Sequence, residues 1–307
     1  MLDLAYAKEF VMRLLLTNDD GIHAPGITAL AAALQEDGHQ LWVVAPQAER
    51  SSCGHSMTFN KPIEVAQVDA QHWAVDWFPA DCVLWAVNHL LVGQKIDALI
   101  SGINQGGNMG QDLYCSGTVA AARQGMQLGI PSIAVSLDVS FAKLFKASRK
   151  KDPKAAVLST KKTTAPQTFR HHRAAKSDHF GAVAAWMAAF LRHPLVASDF
   201  KDGFLNLNFP ECPRQQYKGI KLVRPGFIDY DLTITPCHPL RQKHFYWIGG
   251  DTCHPVLTPQ TDVWAVKNKY IAASWVKLAA PLAEYGLTSS RTAKVWQEMF
   301  SSSITRK

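Results

Sequence analysis

Residues 14–44 read LLLTNDDGIHAPGITALAAALQEDGHQLWVV, and this stretch decides the fold class. Leu14-Leu15-Leu16 is a compact apolar run ended by Thr17, the pattern of a buried strand. A polar turn carrying Gly and Pro follows, from Asn18 to Pro25. Ile27, Leu30 and Leu34 then recur at helical spacing, and Gly38 is placed to stop the helix. Leu41-Trp42-Val43-Val44 reads as the next buried strand. Two buried strands joined by a helix are a parallel unit, because parallel strands need a crossover between them.

The same rhythm continues outward. Val83, Leu84, Val87, Leu90 and Leu91 form one face of a helix, and Ala98-Leu99-Ile100 is a strand that enters a Gly/Asn-rich loop. Val119, Ala122, Arg123 and Met126 mark a helix closed by Gly129, before the strand Ile133-Ala134-Val135. Alternation of this kind predicts an α/β fold: a Rossmann-like parallel sheet covered by helices on both faces. Val139 to Asp178 breaks the pattern and reads as a basic, flexible insertion. Phe180 to Leu191 is helical again, and Phe204 to Phe209 alternates as a strand does. Residues 220–275 hold short β-like runs broken by Pro and Gly, among them Phe245-Tyr246-Trp247-Ile248. They predict extended hairpins rather than more parallel sheet. Ser289 to Phe300 is expected as a terminal helix. The expected segments are therefore 12–138 and 179–275 as core and hairpin region, 139–178 as the insertion, and 276–307 as a helical tail.

Composition narrows the class. The 307 residues are 47% hydrophobic and 19% charged, the profile of an ordinary globular chain. No apolar run approaches the roughly 18 residues of a membrane span. The opening MLDLAYAKEF lacks a secretory-signal layout, so no membrane role and a cytoplasmic location are expected. The formal charge of +7 is local: residues 141–180 hold 11 Lys/Arg against 2 Asp/Glu, which leaves the rest near neutral. That argues against a nucleic-acid surface spread over the whole protein. Cys53, Cys82, Cys115, Cys212, Cys237 and Cys253 show no zinc-knuckle spacing and are expected to be reduced.

Ligands of open α/β sheets bind beyond the carboxyl ends of the strands. Three polar loops fall there: Thr17 to Gly26, Ala45 to Ser56, and Ser101 to Gly110 leading into Ser116-Gly117-Thr118. Asp19 and Asp20 are adjacent carboxylates after a buried strand. They repel unless a cation lies between them or one is protonated. A hard divalent ion suits them, with Ser51 and Asn104 as neutral oxygens from the neighbouring loops. The alternative is that the pair caps the following helix. Gly102, Gly106, Gly107 and Gly110 would let amides turn towards an anion, Asn108 adds a donor, and Ser116-Gly117-Thr118 opens a helix that would attract phosphate. The alternative there is a Gly-rich turn with a Ser cap. His23 and His55 sit in these loops as donors to phosphate, proton carriers or loop-locking groups; Asp81 and Asp262 read as structural or as caps. Neither G-x-G-x-x-G nor a Walker lysine is present.

TNDDGIHAPGI, RSSCGHSMT, PADCV, SGINQGGNMG, SGTVAAA and TDVWAV together resemble the SurE (survival protein E) family of metal-dependent 5′/3′-nucleotidases. The six blocks stand in the family's order between about Met12 and Ala265. The resemblance implies Asp19, Asp20, Ser51 and Asn104 as ligands of one divalent ion per subunit, Mg²⁺ or Mn²⁺. It implies Asn108, Ser116, Gly117 and Thr118 as the phosphate contacts. It also implies nucleoside monophosphate substrates, short polyphosphate as a further substrate, and a homodimer or tetramer exchanging an extended β-hairpin and a C-terminal helix. Gln47, Trp77-Phe78, the basic stretch and Tyr270 to Trp275 depart from the family pattern without removing a proposed ligand.

The expected chemistry is metal-assisted attack of water on a phosphate monoester, with Asp19 and Asn108 as the residues at the reacting group. One rival makes Asp19 a nucleophile that forms an aspartyl-phosphate, although the D-x-D spacing of such phosphatases is missing. The other is a polyanion or nucleic-acid binder that uses Lys143 to Lys176.

Overall fold

The structure is a computed structural model that describes residues 11–139, 177–192, 200, 202–230, 234–240, 243–248 and 253–277. Its first unit is β1 (Arg13–Thr17), α1 (Pro25–Glu36) and β2 (Gln40–Pro46). The leucines of β1 alternate between two cores. Leu14 and Leu16 face Ile27, Leu30 and Leu34 of α1, while Leu15 joins Val44 on the other side. Each fully buried leucine contributes about 1.5–3 kcal/mol, so this strand is held from both faces. Pro25 at the first helical turn fits a position whose N–H needs no partner, and Gly38 ends α1 at φ +83°.

Next come β3 (Val65–Gln67), β4 (His72–Val75), α2 (Pro79–Trp85) with a π-helical turn Ala86–Leu90, and β5 (Ala98–Gln105). They are followed by α3 (Asp112–Cys115), α4 (Gly117–Gln127), β6 (Ser132–Asp138), α5 (Ser177–Leu191) and β7 (Gly203–Pro210). The later elements are a 3₁₀ turn Arg214–Gln216, β8 (Ile220–Leu222), β9 (Phe227–Tyr230), β10 (Ile234–Leu240), β11 (Lys243–Ile248), β12 (Cys253–Val256), α6 (Asp262–Lys267) and β13 (Ile271–Lys277).

Nine strands form one sheet in the order β3-β4-β2-β1-β5-β6-β7-β13-β8. From β4 through β7 every pairing is parallel, with Leu15 opposite Trp42 on one side and Leu99 on the other. Helices α1 and α5 pack on one face; α2 and Ala121 of α4 pack on the other. The expected α/β, Rossmann-like architecture is therefore the one found. The strand order reverses between β1 and β5, which makes their carboxyl ends the switch point where such sheets bind ligands.

Three features differ from the reading of the sequence. The β3–β4 antiparallel pair at the sheet edge was not expected. Residues 220–275 form hairpins only in part: β10 pairs with β11 and β9 with β12, but β13 adds antiparallel to β7, and β8 runs parallel beside β13. Gly102 lies inside β5, which runs on to Gln105, so the third loop begins later than its composition suggests. Residues 140–176 of the basic insertion and the terminal helix expected at Ser289 to Phe300 lie outside the described residues.

Candidate active site

The first loop leaves β1 with Asn18, whose side chain ties to Gly21 in both directions: Nδ2 donates to the Gly21 carbonyl and Oδ1 accepts from its N–H. This turn fixes Asp19 and Asp20 at the end of the strand. The second loop is stitched to it, since Ile22 N–H donates to the Pro46 carbonyl and Arg50 N–H donates to the Asp19 carbonyl. The two carboxylates do not cap α1, whose N-cap is Ala24 with no side-chain hydrogen bond.

Asp19 is buried against the start of α4. Its Oδ1 accepts from the Thr118 hydroxyl. Burial pushes its carboxyl above the usual range, while the Thr118 hydroxyl and the backbone N–H groups of Thr118 and Gly117 pull it down. Only glycine fits at 117: a Cβ there would lie 2.8 Å from Asp19 Cβ, 2.8 Å from Cys53 Sγ and 2.9 Å from Asp19 Oδ2. Ser116 is the N-cap, with Oγ accepting from Val119 N–H at 3.1 Å. The helix begins where the sequence places it, and its N-terminal dipole is aimed at a carboxylate of this chain.

Asp20 is pushed up to about 7, by burial first, then by the charge of Asp19 and, more weakly, of Glu49; the Gln105 N–H, 3.1 Å from Oδ2, acts against this. Asp20, Glu49 and Gln105 line a cavity of about 180 Å³ together with Phe180 and the start of α1. The nearest loop cation is turned away, with Arg50 Nη2 on Asp76 Oδ1 at 3.0 Å. Among the described residues no Lys, Arg or His pairs with Asp19 or Asp20.

The neutral ligands expected from the sequence, Asn104 and Ser51, each touch or adjoin a neighbour of Asp20. Asn104 is at the end of β5 beside Gln105, and its Nδ2 donates to the Gly106 carbonyl at 2.8 Å. Among the described residues the amide oxygen accepts no hydrogen bond. Ser51 is exposed on the second loop, and its hydroxyl donates to Glu49 Oε1 at 2.7 Å. Among the described residues no three His, Cys, Asp or Glu side chains form a metal-holding group. A cation here would therefore rest on two carboxylates and neutral oxygens. That donor set suits a hard divalent ion, and the uncompensated charge of the Asp pair is what such an ion would relieve.

Asn108 is wired into the sheet. Its N–H donates to Asn208 Oδ1, its Nδ2 to Ser136 Oγ, and its carbonyl accepts from Asn206 and Asn208. Gly106 N–H donates to the Leu137 carbonyl and Gly110 N–H to Asp262 Oδ2, so these two amides hold the loop to the fold instead of facing a ligand. His55 locks its loop to α4, with Nε2 3.0 Å from Gln124 Oε1; His23 is exposed. Asp81 binds Thr58 and the Phe78 N–H, and Asp262 binds Gly110, Gly226 and Val263. Both are structural. Three neighbours were not singled out from the sequence: Glu49, Gln105 and Cys53. Each lies within a quoted loop or next to one, but nothing in composition shows that its atoms meet the Asp pair.

Comparison with known proteins places this geometry in context. The family model for Survival protein SurE matches residues 14–231. A protein named 5'-nucleotidase SurE from Paramagnetospirillum magneticum is 36% identical over 255 residues, 83% of this chain and 85% of that one. Its namesake from Geobacter sulfurreducens is 37% identical over 265 residues, 86% and 87% of the two chains. The crystal structure of the SurE protein from Aquifex aeolicus matches with a TM-score of 0.67 at 30% identity, covering 92% of this chain and 98% of that one.

Proposed function

The chain belongs to the SurE family, and from that premise we propose that it is a 5′-nucleotidase whose phosphomonoesterase site is centred on Asp19 and Asp20. The observation that carries the reading is the Asp pair itself: two carboxylates side by side at the switch point, Asp19 buried and Asp20 half-buried, with no counter-cation among the described residues. Asp19, Asp20, Ser51 and Asn104 would hold one Mg²⁺ or Mn²⁺ ion. When bound, such an ion neutralises phosphoryl oxygens and lowers the pKa of a water molecule.

The chain supplies position. Thr118 and the first amides of α4 hold Asp19 in a single orientation, and Ser116 keeps that helical turn formed. Asn18 and Arg50 fix the loop that carries both carboxylates. Asn108 acts through the loop, holding Asn104 to Gly110 on β6 and β7. In the hydrolysis a water oxygen bonds to phosphorus, the ester P–O bond breaks, and the departing oxygen takes a proton. Nucleoside and phosphate are the products. The cluster meets the phosphoryl end of its substrate, so 3′-monophosphates and short polyphosphate are further substrates of the same kind.

A homodimer or tetramer fits the hairpin region. An isolated two-stranded sheet is marginal by itself, and β10–β11 forms one with Ile234 and Tyr246 exposed. Light scattering of the purified chain tests this. The activity is tested by phosphate release across nucleoside monophosphates, with EDTA or with added Mn²⁺ or Mg²⁺. Release with metal and none with EDTA is expected. Silence toward every monophosphate in the presence of Mn²⁺ overturns the assignment. Trapping of a labelled phosphoenzyme would instead make Asp19 a nucleophile.

A further inference from the structure

A second cavity, of about 220 Å³, is bordered by the third loop at Gly107 and Met109. Gln105 lines the cavity beside Asp20, and Gly107 lines this one. Its walls come from Met109 of the third loop, Ile228 and Tyr230 of β9, Cys253 of β12 and Val263 of α6. Two pairs of polar side chains project into it. The Tyr230 hydroxyl donates to Asp112 Oδ2 at 2.6 Å, and Lys267 Nζ donates to Asp138 Oδ2 at 3.0 Å. The second oxygen of each carboxylate accepts no hydrogen bond among the described residues. At about 30 Å³ for a water's share of the liquid, the space equals some seven waters, enough for a heterocyclic ring system.

Its place in the sheet sets its range. Asp138 ends β6, and β6 lies two strands from β1, with β5 between. Two strand spacings are about 10 Å, the span of a nucleotide from its phosphate to its base. Both cavities open at the carboxyl edge of the same parallel strands. An apolar slot with a few convergent polar groups is also the ordinary form of a small-molecule site.

Building on the nucleotidase reading, we propose that this cavity takes the nucleobase of the substrate, the ring lying between Met109, Ile228, Tyr230 and Val263. The free oxygens of Asp112 and Asp138 accept hydrogen bonds from an amino group on the ring. Adenine, cytosine and guanine carry such a group and uracil does not, so AMP, CMP and GMP are preferred to UMP.

The test uses the full-length chain with Mn²⁺ and two substrates in parallel: AMP, and p-nitrophenyl phosphate, which has no nucleoside. Cys253→Trp fills the cavity and Tyr230→Ala removes a wall; melting curves identify any variant that fails to fold. The expected result is a KM for AMP raised about tenfold in Cys253→Trp and about fivefold in Tyr230→Ala, with kcat/KM for p-nitrophenyl phosphate within twofold of wild type. Wild type should also show a higher kcat/KM for AMP than for UMP. Parallel loss on both substrates in the folded variants, unchanged AMP kinetics, or equal use of AMP and UMP overturns the assignment while leaving the nucleotidase reading intact. A wild-type protein that releases phosphate from neither substrate fails at the earlier step and takes the base pocket with it.

Discussion

Two acidic clusters at the same edge of the sheet, each with a buried aspartate, are solved in opposite ways. Asp262 is fully buried and receives three backbone N–H groups, from Gly110, Gly226 and Val263, at 2.7–2.9 Å. Burial raises its carboxyl and those donors pull it back. It pins the third loop to the turn before β9. Asp20 has one backbone donor and two acidic neighbours, and it is pushed up to about 7. A buried carboxylate surrounded by donors is a fastening. One crowded by like charge is left short of a positive partner, and such crowding is a mark of functional sites.

The sharpest way to break this contrast is Asp19→Asn. Turnover with Mn²⁺ should fall by about 10³-fold or more, because charge stabilisation at the reacting group is the dominant contribution. The melting temperature without metal should hold or rise, since one of two repelling charges is gone. Near-normal turnover would remove Asp19 from the site. Gly117→Ala comes next. Its new methyl would press on Asp19 and Cys53, and displacement of that kind costs about 10²-fold in rate. Thermal stability and kcat measured together separate this from unfolding.

Asp262→Asn should behave the other way. Loss of an acceptor for buried N–H groups costs about 1–3 kcal/mol. A lower melting temperature with turnover per folded molecule largely kept is the expected outcome; the reverse pattern would make Asp262 part of the chemistry.

The pH dependence of stability sharpens the comparison further. Asp20 rises from its ordinary 3.8 to about 7 in the folded chain. Between those values the unfolded chain has released this proton while the folded chain keeps it. Stability of the metal-free protein therefore falls as pH rises from about 4 to about 7. Urea titrations across that range should show the slope, and Asp20→Asn should flatten it. The smallest effect is expected at Ser52, held at φ +58° beside Ser51. The left-handed conformation costs a side chain about 1–2 kcal/mol, and glycine's added chain entropy offsets about 0.5–1 kcal/mol. Ser52→Gly should raise the melting temperature slightly and leave turnover unchanged.

Much of the core was legible because its signals are local. Leu14 to Leu16, the spacing of Ile27, Leu30 and Leu34, and the glycines at 38 and 129 each follow from neighbours along the chain. The β3–β4 pair was missed because both strands are short and β3 is largely exposed. Ile271 to Lys277 could not be assigned to the main sheet for a different reason: a short, mostly apolar run suits a strand in either sheet, and its partner β7 is far away in sequence. In the site, Asp19, Asp20, Asn104 and the Ser116 cap stand out as types at expected loops. The amides of Gly106 and Gly110 read as open to an anion, yet their acceptors, Leu137 and Asp262, come from other strands and loops.

Amino-acid order alone settled the alternation of strands and helices, the family to which the chain belongs, and which loops carry oxygen-bearing side chains. Those properties depend on periodicity and on short motifs, which survive without a third dimension. Tertiary structure decided that Glu49 crowds Asp20, that α4 points its amides at Asp19, and that Asp112, Asp138 and Tyr230 border one cavity. These are contacts across the sheet, made by residues up to 118 positions apart, and only the packing of strands brings their charges close enough to act on one another.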